Sequence, residues 1–501
     1  MALFLALLPA LVMITLVIIT RKVLISLGIG VILAAFIHSD FNVIESFIYV
    51  WESFFSIITD IYWYLPILGF VVVIGGITSV IALSGGVKAF ASWAVAKVKN
   101  PVAAQLLTWV LGIIIMIDDY FNALVIGEVS KPITDEYKVS RAKLAYLIDS
   151  TSAPVVIMMP ISTWGAYIIG LLGALFIEAG YDVRSGLAGF VAAVPYQFYP
   201  MTTLIMVFLV IKFGIKFGPM KSYEEAAEQG NDISMMDMEE VVEHSEGKKA
   251  THWTLIAPVL LLVFMTFFMM LVSAEFKFNA IMDQEITIPL FVGGISAFIL
   301  AIIQALSDRS IATSHLFKSA GLGMLEMLKS AVVILILAWM VSNAIQDLGT
   351  GDLIAEIVAD SSIQASLMPL ILFLIAGAMA FATGTSWGSF GILLPIAIPI
   401  AMRTDPTFMP AIIAAVLGGA VFGDHSSPVS DTTVLSATGA RSKLHAHFIS
   451  QLPYALVAAL IASLAYLMYG LTHMVWVGYL VMALLLFLFV RFWKVLFLKK
   501  Q

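Results

Sequence analysis

Apolar residues in this chain neither keep to one helix face nor alternate as in a strand. They fill runs of about 18 or more residues that recur from the first positions to the last, the pattern of helices wrapped in lipid. Alternating segments of roughly ten residues, as in a membrane barrel, are absent, and nothing that remains is long enough for a soluble catalytic domain. The pattern predicts an all-α polytopic membrane protein with about 11 transmembrane helices plus two re-entrant hairpins.

Polar interruptions divide the runs. Met1 to Thr20 and Val23 to Ile37 read as two spans, Glu45 to Tyr64 as an amphipathic helix in the interface, and Leu65 to Leu83 as a third span. Residues 101–131 hold two marginal arms around the polar break Asp118 to Asn122, which predicts a re-entrant hairpin. Residues 144–177 are interrupted at Asp149 to Pro154, and because Pro154 cannot donate to the helix ladder a broken helix is expected there. Leu187 to Ile211 closes the first half. Residues 214–250, rich in acids from Glu224 to Glu246, read as a solvated cytoplasmic linker.

The plan then repeats. Spans are expected over His252 to Ser273 and Ile288 to Leu306, an amphipathic segment over Asp308 to Lys329, and a span over Ala331 to Ala344. A second hairpin covers 367–402 with its break at Thr383 to Trp387, a second broken helix covers 409–440, and Phe448 to Tyr469 closes the half. Short cytoplasmic loops collect Lys and Arg, which places the N-terminus outside and the C-terminus inside and leaves only Arg184, Lys277 and Arg403 of 26 basic residues outside. The same rule turns the second half over relative to the first. The expected organisation is an inverted repeat, 1–213 against 251–470, joined by 214–250 and followed by an extra helix in 471–501. The two broken helices echo each other, Asp149-Ser-Thr-Ser-Ala-Pro154-Val155 against Asp424-His-Ser-Ser-Pro428-Val429. Two hairpin tips and two broken helices would then meet near the midplane, where helix ends and unwound carbonyls can take up a dehydrated cation.

Composition turns these breaks into candidate chemistry. Charged residues are 12% of the chain against 61% hydrophobic. An acid near the bilayer centre costs about 2.5 to 3.5 kcal/mol, so one inside an apolar run asks for a function. Asp118, Asp119, Asp149, Asp424 and Asp431 are the titratable candidates for proton and cation coupling, since one carboxylate can hold a proton or a metal ion on the same oxygens. Asn122, Ser150, Thr151, Ser152, Thr383, Thr385, Ser386, His425, Ser427, Thr432 and Thr433 surround them in sequence as cation- or substrate-binding candidates. Their oxygens are hard ligands, so sodium is the first choice of ion, with Asp424, Asp431 and Asp149 as its candidate ligands.

The plainer roles stay open beside these. A hydroxyl in a membrane helix often bonds the preceding turn's carbonyl, Asp118 or Asp119 could cap the second hairpin arm, and His425 could be an interhelical donor. Gly75 and Gly76 fit close helix packing, and His445 and His447, beside Arg441 and Lys443, are expected at the cytoplasmic surface. With no cysteine, thiolate chemistry and cysteine metal sites are excluded, and the deep histidines are too few for a usual zinc hydrolase, so an enzyme is not expected. No cofactor is expected beyond sodium ions and protons as cargo. The partners expected are the lipid bilayer and those ions, not nucleic acid; the net charge of -7 sits mostly in the linker.

The strings GDHSSPVSDTTVLSA, TGTSWGSFGILLPIAIPIA and MIDDYFNALVIG closely resemble the NhaC-type sodium/proton antiporters of bacteria, within the wider ion-transporter superfamily. The resemblance extends over roughly Gly69 to Leu460. It implies a homodimeric secondary transporter of the bacterial inner membrane whose transport domain moves like an elevator against a fixed scaffold. It places the family's polar site on Asp424, His425, Ser427, Asp431 and Thr432, and many relatives carry a cysteine where this chain has Ser426. Similar cores also serve exchangers of organic acids, such as malate against lactate, and carriers of amino acids. The expectation is therefore sodium/proton antiport by alternating access, with sodium- or proton-coupled transport of a small organic solute as the alternative. The lack of Lys and Arg in the midplane segments weighs against a dicarboxylate, although half-helix N-termini could still receive one.

Overall fold

The structure is a computed structural model and describes residues 2–20, 22–95, 98–179, 185–235, 247, 249–277, 280–281, 284, 286–348, 364–428 and 430–497. Arg184, Val429 and the acidic residues of 236–246 lie outside the described residues. Among those described, regular structure is helical apart from one antiparallel bridge between Met235 and Ser442. A helix satisfies its own N–H and C=O groups where lipid cannot, so the apolar runs become helices. Eight are long and apolar enough to cross a membrane, or nine if the bent pair Gly186–Tyr196 and Phe198–Phe213 makes one span, fewer than the sequence pattern suggests. Both arms of the second hairpin pass that test, whereas Leu24–His38, Pro101–Ile114 and Thr163–Ile177 are shorter.

The element order follows the polar interruptions. Ala2–Thr20 and Val23–His38 precede the amphipathic Val43–Thr59, which Asn42 caps through Ile44 N at 3.0 Å, and then Tyr64–Leu83. The short Gly86–Val95 leads to the first hairpin, Pro101–Ile114 and Asp119–Glu136. Asn100 caps its first arm at Ala103 N (2.8 Å), with Pro101 at the position where no N–H is needed. The first broken span is Arg141–Asp149, the single turn Ala153–Val156, and Thr163–Ala179. Its break runs on past Pro154 to Ser162, because Pro160 removes a second N–H and Ser162 Oγ starts the next helix by accepting from Gly165 N (2.8 Å). The closing span expected to be straight over Leu187 to Ile211 instead bends by 50° at Gln197, between Pro195 and Pro200.

The second half runs Trp253–Ser273, Thr287–Ser307, Thr313–Met327, a π turn at Leu328–Val332, and Val333–Asp347. Then follow the hairpin Met368–Thr383 and Ser386–Thr404, the broken span Met409–His425 and Asp431–Ala440, and Leu444–Thr472 and Val475–Phe497.

Two groups of helices form. In the first, Tyr64–Leu83 rests on Thr287–Ser307 and Thr313–Met327, while Val333–Asp347 rests on Val23–His38 and Val43–Thr59. Each of these spans thus lies on helices from the other side of the linker. Gly75 and Gly323 permit one of these crossings: a Cβ on Gly75 would stand 2.3 Å from Gly323 O. The second group holds the hairpins, the broken spans and the closing helices. Met368–Thr383 lies along Met409–His425, and Asp431–Ala440 packs on both Asp119–Glu136 and Arg141–Asp149. Gly127 and Gly439 bring the first hairpin and the second broken span together, since a Cβ on Gly127 would be 2.3 Å from Gly439 O.

The linker is not wholly solvated as expected. Its first part folds back as helix Met220–Glu228 and a turn to Met235, with Glu224 and Ser234 buried. Glu224 accepts from Ser140 N (2.9 Å) and Ser140 Oγ (2.7 Å) and pairs with Lys143 Nζ at 2.9 Å. Burial pushes this carboxyl up, but the Lys143 ammonium and the hydrogen bonds from Lys143 and Ser140 outweigh it and hold Glu224 below the usual glutamate range.

Candidate functional site

Helix Met409–His425 ends because Ser426 turns its Oγ back onto Phe422 O (2.6 Å) and Pro428, with no N–H, follows. Asp424 sits in that last turn at 1% exposure. Its Oδ2 accepts from Ser386 Oγ (2.8 Å), at the start of the second hairpin's second arm. Its Oδ1 accepts from Ser430 Oγ and from Thr432 Oγ1 (3.4 Å), where the broken span resumes. Ser430 also caps that resumed helix at Thr433 N (3.3 Å). One carboxylate therefore ties a hairpin tip to both halves of a broken span. Each hydroxyl donates only one proton and keeps lone pairs, so the same oxygens can turn toward a cation.

Asp431 is exposed, and it accepts from Tyr120 OH of the first hairpin and from Thr432 N (3.0 Å). At that hairpin's tip Asp118 is occupied twice: Oδ1 caps Asp119–Glu136 through Phe121 N (3.0 Å) and Oδ2 accepts from Thr163 Oγ1 (2.9 Å). Asp119 accepts on Oδ1 from Trp164 Nε1 (2.8 Å), and its Oδ2 is buried with no hydrogen bond among the described residues. Asn122 closes the end of the first arm by donating to Gly112 O (2.8 Å) and Ile115 O (2.6 Å), again with a spare buried Oδ1.

Asp149 ends helix Arg141–Asp149 and belongs to a neighbouring cluster. Its Oδ2 accepts from Gln451 Nε2 (2.5 Å) and lies 3.4 Å from His447 Nε2 and 3.9 Å from His425 Nε2. Its Oδ1 accepts from Ser436 Oγ (3.2 Å). The His425 ring spans Ser150 Oγ (3.0 Å) and Tyr199 OH (2.7 Å), and Gln451 also donates to His425 O (2.6 Å). His447 is thus in the site and not at the cytoplasmic surface. The closing helix begins at Leu444, earlier than the apolar run suggests, and His447 and Gln451, four residues apart, share its inward face. His445 is exposed.

Several candidate hydroxyls are engaged with backbone. Ser152 Oγ donates to Asp119 O (2.7 Å), Thr151 Oγ1 to Leu147 O (2.7 Å) and Ser427 Oγ to Phe381 O (2.7 Å). Thr383 Oγ1 lies 3.4 Å from Ala380 O, Thr385 O accepts from Ser389 Oγ (3.2 Å), and Thr433 Oγ1 is buried without a hydrogen bond among the described residues. Asp424, Asp431 and Asp149 do not share one ligand sphere: among the described residues no three His, Asp or Glu side chains converge closely enough to hold a metal ion. A cation at Asp424 would instead draw on the oxygens of Ser386, Ser430 and Thr432. Tyr120, Trp164, Tyr199, Ser436 and Gln451 enter the site without having been singled out, and His447 enters it against the expectation of a surface position. Only the His447 and Gln451 spacing inside an apolar helix offered a signal, since buried aromatics in a membrane helix look like filler.

Relatives and folds bear on this geometry. An uncharacterized protein of Haemophilus influenzae is 37% identical over 478 residues, covering 93% of this chain and 90% of that one. A malate-2H(+)/Na(+)-lactate antiporter of Bacillus subtilis is 29% identical over 200 residues, 39% of this chain and 40% of its own. Among solved structures, the Alcanivorax borkumensis YdaH transporter shares the fold with a TM-score of 0.57 at 12% identity, over 84% of this chain and 87% of that one. A model of the Na+/H+ antiporter family matches residues 155–471, from the first broken span to the end of the closing helix. That match spans more than half of a multi-pass, all-helical chain, and the chain belongs to the Na+/H+ antiporter family.

Proposed function

We propose that the protein is a sodium/proton antiporter working by alternating access in a bacterial inner membrane, with Asp424 carrying either the proton or the sodium ion. The observation that carries this reading is the single buried carboxylate joined by hydroxyls to a hairpin tip and to both halves of a broken span. Loaded with a proton or with sodium, the Asp424 carboxylate is neutral and can cross; empty, it is a buried anion and is costly to move. That difference makes exchange obligatory. Protonation also weakens the hydrogen bonds that Ser386 and Ser430 donate to this carboxylate, which loosens the hairpin tip from the broken span. In this reading the second group of helices moves like an elevator against the first, in a homodimer, and the two halves work as inverted repeats. If more than one proton enters per sodium ion expelled, each extra charge gains about 2.3 kcal/mol per 100 mV of membrane potential.

A second reading keeps the machine and changes the cargo to a small carboxylate. Helices Ser386–Thr404 and Asp431–Ala440 both begin beside Asp424, and their N-termini could receive an anionic group once Asp424 is protonated. The relative named for malate and lactate exchange gives this reading its substrates.

The test is proton flux in tight, oriented proteoliposomes with an acid load and a pH-sensitive dye. Sodium or lithium added outside should evoke alkalinisation that potassium and choline do not. Silence toward every cation would overturn the antiporter, and sodium- or proton-dependent uptake of labelled malate, lactate and amino acids would then test the second reading.

A further inference from the structure

The first turn of helix Arg141–Asp149 is capped by a part of the chain 84 to 92 residues away. Ser140 N donates to Glu224 Oε1 (2.9 Å), Arg141 N to Asp232 Oδ2 (2.7 Å) and Ala142 N to Ser234 Oγ (3.0 Å), while Ser140 Oγ takes Lys143 N (3.2 Å). The free donors at this helix start are met, three of them by the linker, and two of the acceptors are carboxylates at the positive end of the helix dipole. The same segment reaches the start of helix Leu444–Thr472. Lys443 N donates to Ser234 O (2.8 Å), Lys443 Nζ to Ile233 O (3.3 Å), and Met235 bridges Ser442.

We infer that residues 220–235 form a cytoplasmic strap that stays docked through the transport cycle, joins helices Arg141–Asp149 and Leu444–Thr472 into one body, and makes Glu224 a positioning residue for the Asp149 cluster. The two strapped helices bring together the groups of that cluster. Asp149 ends the first, and His447 and Gln451 lie one and two turns into the second, at 3.4 Å and 2.5 Å from Asp149 Oδ2. A shift of one helix against the other would break these contacts. Undocking would give up three hydrogen bonds at the helix start and the Lys143–Glu224 pair together, so several contacts hold the strap at once. The role in positioning rests on the antiport reading; the strap itself does not.

The chain has no cysteine, so single cysteines report cleanly. Ser442 is fully buried beneath the strap, and S442C in inside-out vesicles should react slowly with a membrane-impermeant maleimide, with or without sodium. Adding Glu224→Ala should speed that reaction about tenfold and Glu224→Gln less; equal rates in all three would overturn the strap, whatever ion the protein carries. A cross-link in M235C/S442C should leave sodium-evoked proton flux unchanged. Flux lost on oxidation and restored by dithiothreitol would mean that the strap must open, and this arm stands even if Glu224→Ala fails to fold. Glu224→Ala should also raise the sodium KM by loosening the Asp149 cluster beside the Asp424 site, with Glu224→Gln recovering part of it. An unchanged KM in a folded Glu224→Ala protein would remove the positioning role.

Discussion

At the scale of single residues, Asp424 differs from the other acids in what holds it. Asp118 spends both oxygens on a helix start and Thr163, whereas Asp424 is held by hydroxyls that can reverse their role from donor to ligand. Ser386→Ala removes one of these and should raise the sodium KM about tenfold, the usual loss when a group supporting a metal ligand is deleted. Ser427→Ala should change it little, because Ser427 Oγ is committed to Phe381 O. Equal effects of the two in the proteoliposome flux assay would contradict the assignment. The sequence made Asp424 legible because an acid in an apolar run is expensive. It did not separate Asp118 from Asp119, since adjacent acids look alike until one of them is seen to meet the N–H of Phe121. Nor did it place His447, whose neighbours Arg441 and Lys443 look like surface while its own side chain turns inward.

At the scale of elements, the breaks were legible and the bends less so. Pro154 and Pro428 mark the two broken spans, but the 50° turn at Gln197 needed the combined effect of Pro195 and Pro200 on a run that is apolar throughout. The docked half of the linker was not legible at all. Glu224 and Asp232 resemble their solvated acidic neighbours, and what distinguishes them is a helix start brought near only by folding. The strap makes a prediction about acid. Glu224 has its folded-state pKa below its unfolded one, so its contribution is complete above the ordinary glutamate range and is lost as pH falls through the lower folded value. Glu224→Gln should therefore cost about 3–5 kcal/mol near neutral pH by leaving Lys143 unpaired, and the gap to wild type should shrink below about pH 4. Thermal unfolding in detergent across that range measures it, and a gap that stays constant with pH would contradict the pairing.

At the scale of the whole molecule, helices from before and after the linker interlock, Tyr64–Leu83 lying on Thr287–Ser307 and Val333–Asp347 on Val23–His38. Hydrophobic pattern and charge sidedness suggest an inverted repeat, because both are local, but not which helices meet. The sorting of helices into two groups was not readable, since it depends on close approaches such as Gly127 to Gly439 and Gly75 to Gly323 that any glycine-bearing helix could make. The account's central claim is that a proton and a sodium ion compete for the Asp424 carboxylate at the meeting of a hairpin tip and a broken span. The most direct measurement is proton release on sodium binding to the purified protein in weakly buffered detergent, followed with a pH indicator. The account predicts that sodium, and not choline, releases protons from wild type near neutral pH and that Asp424→Asn releases none. Sodium binding without proton release, or release that survives Asp424→Asn, would contradict it.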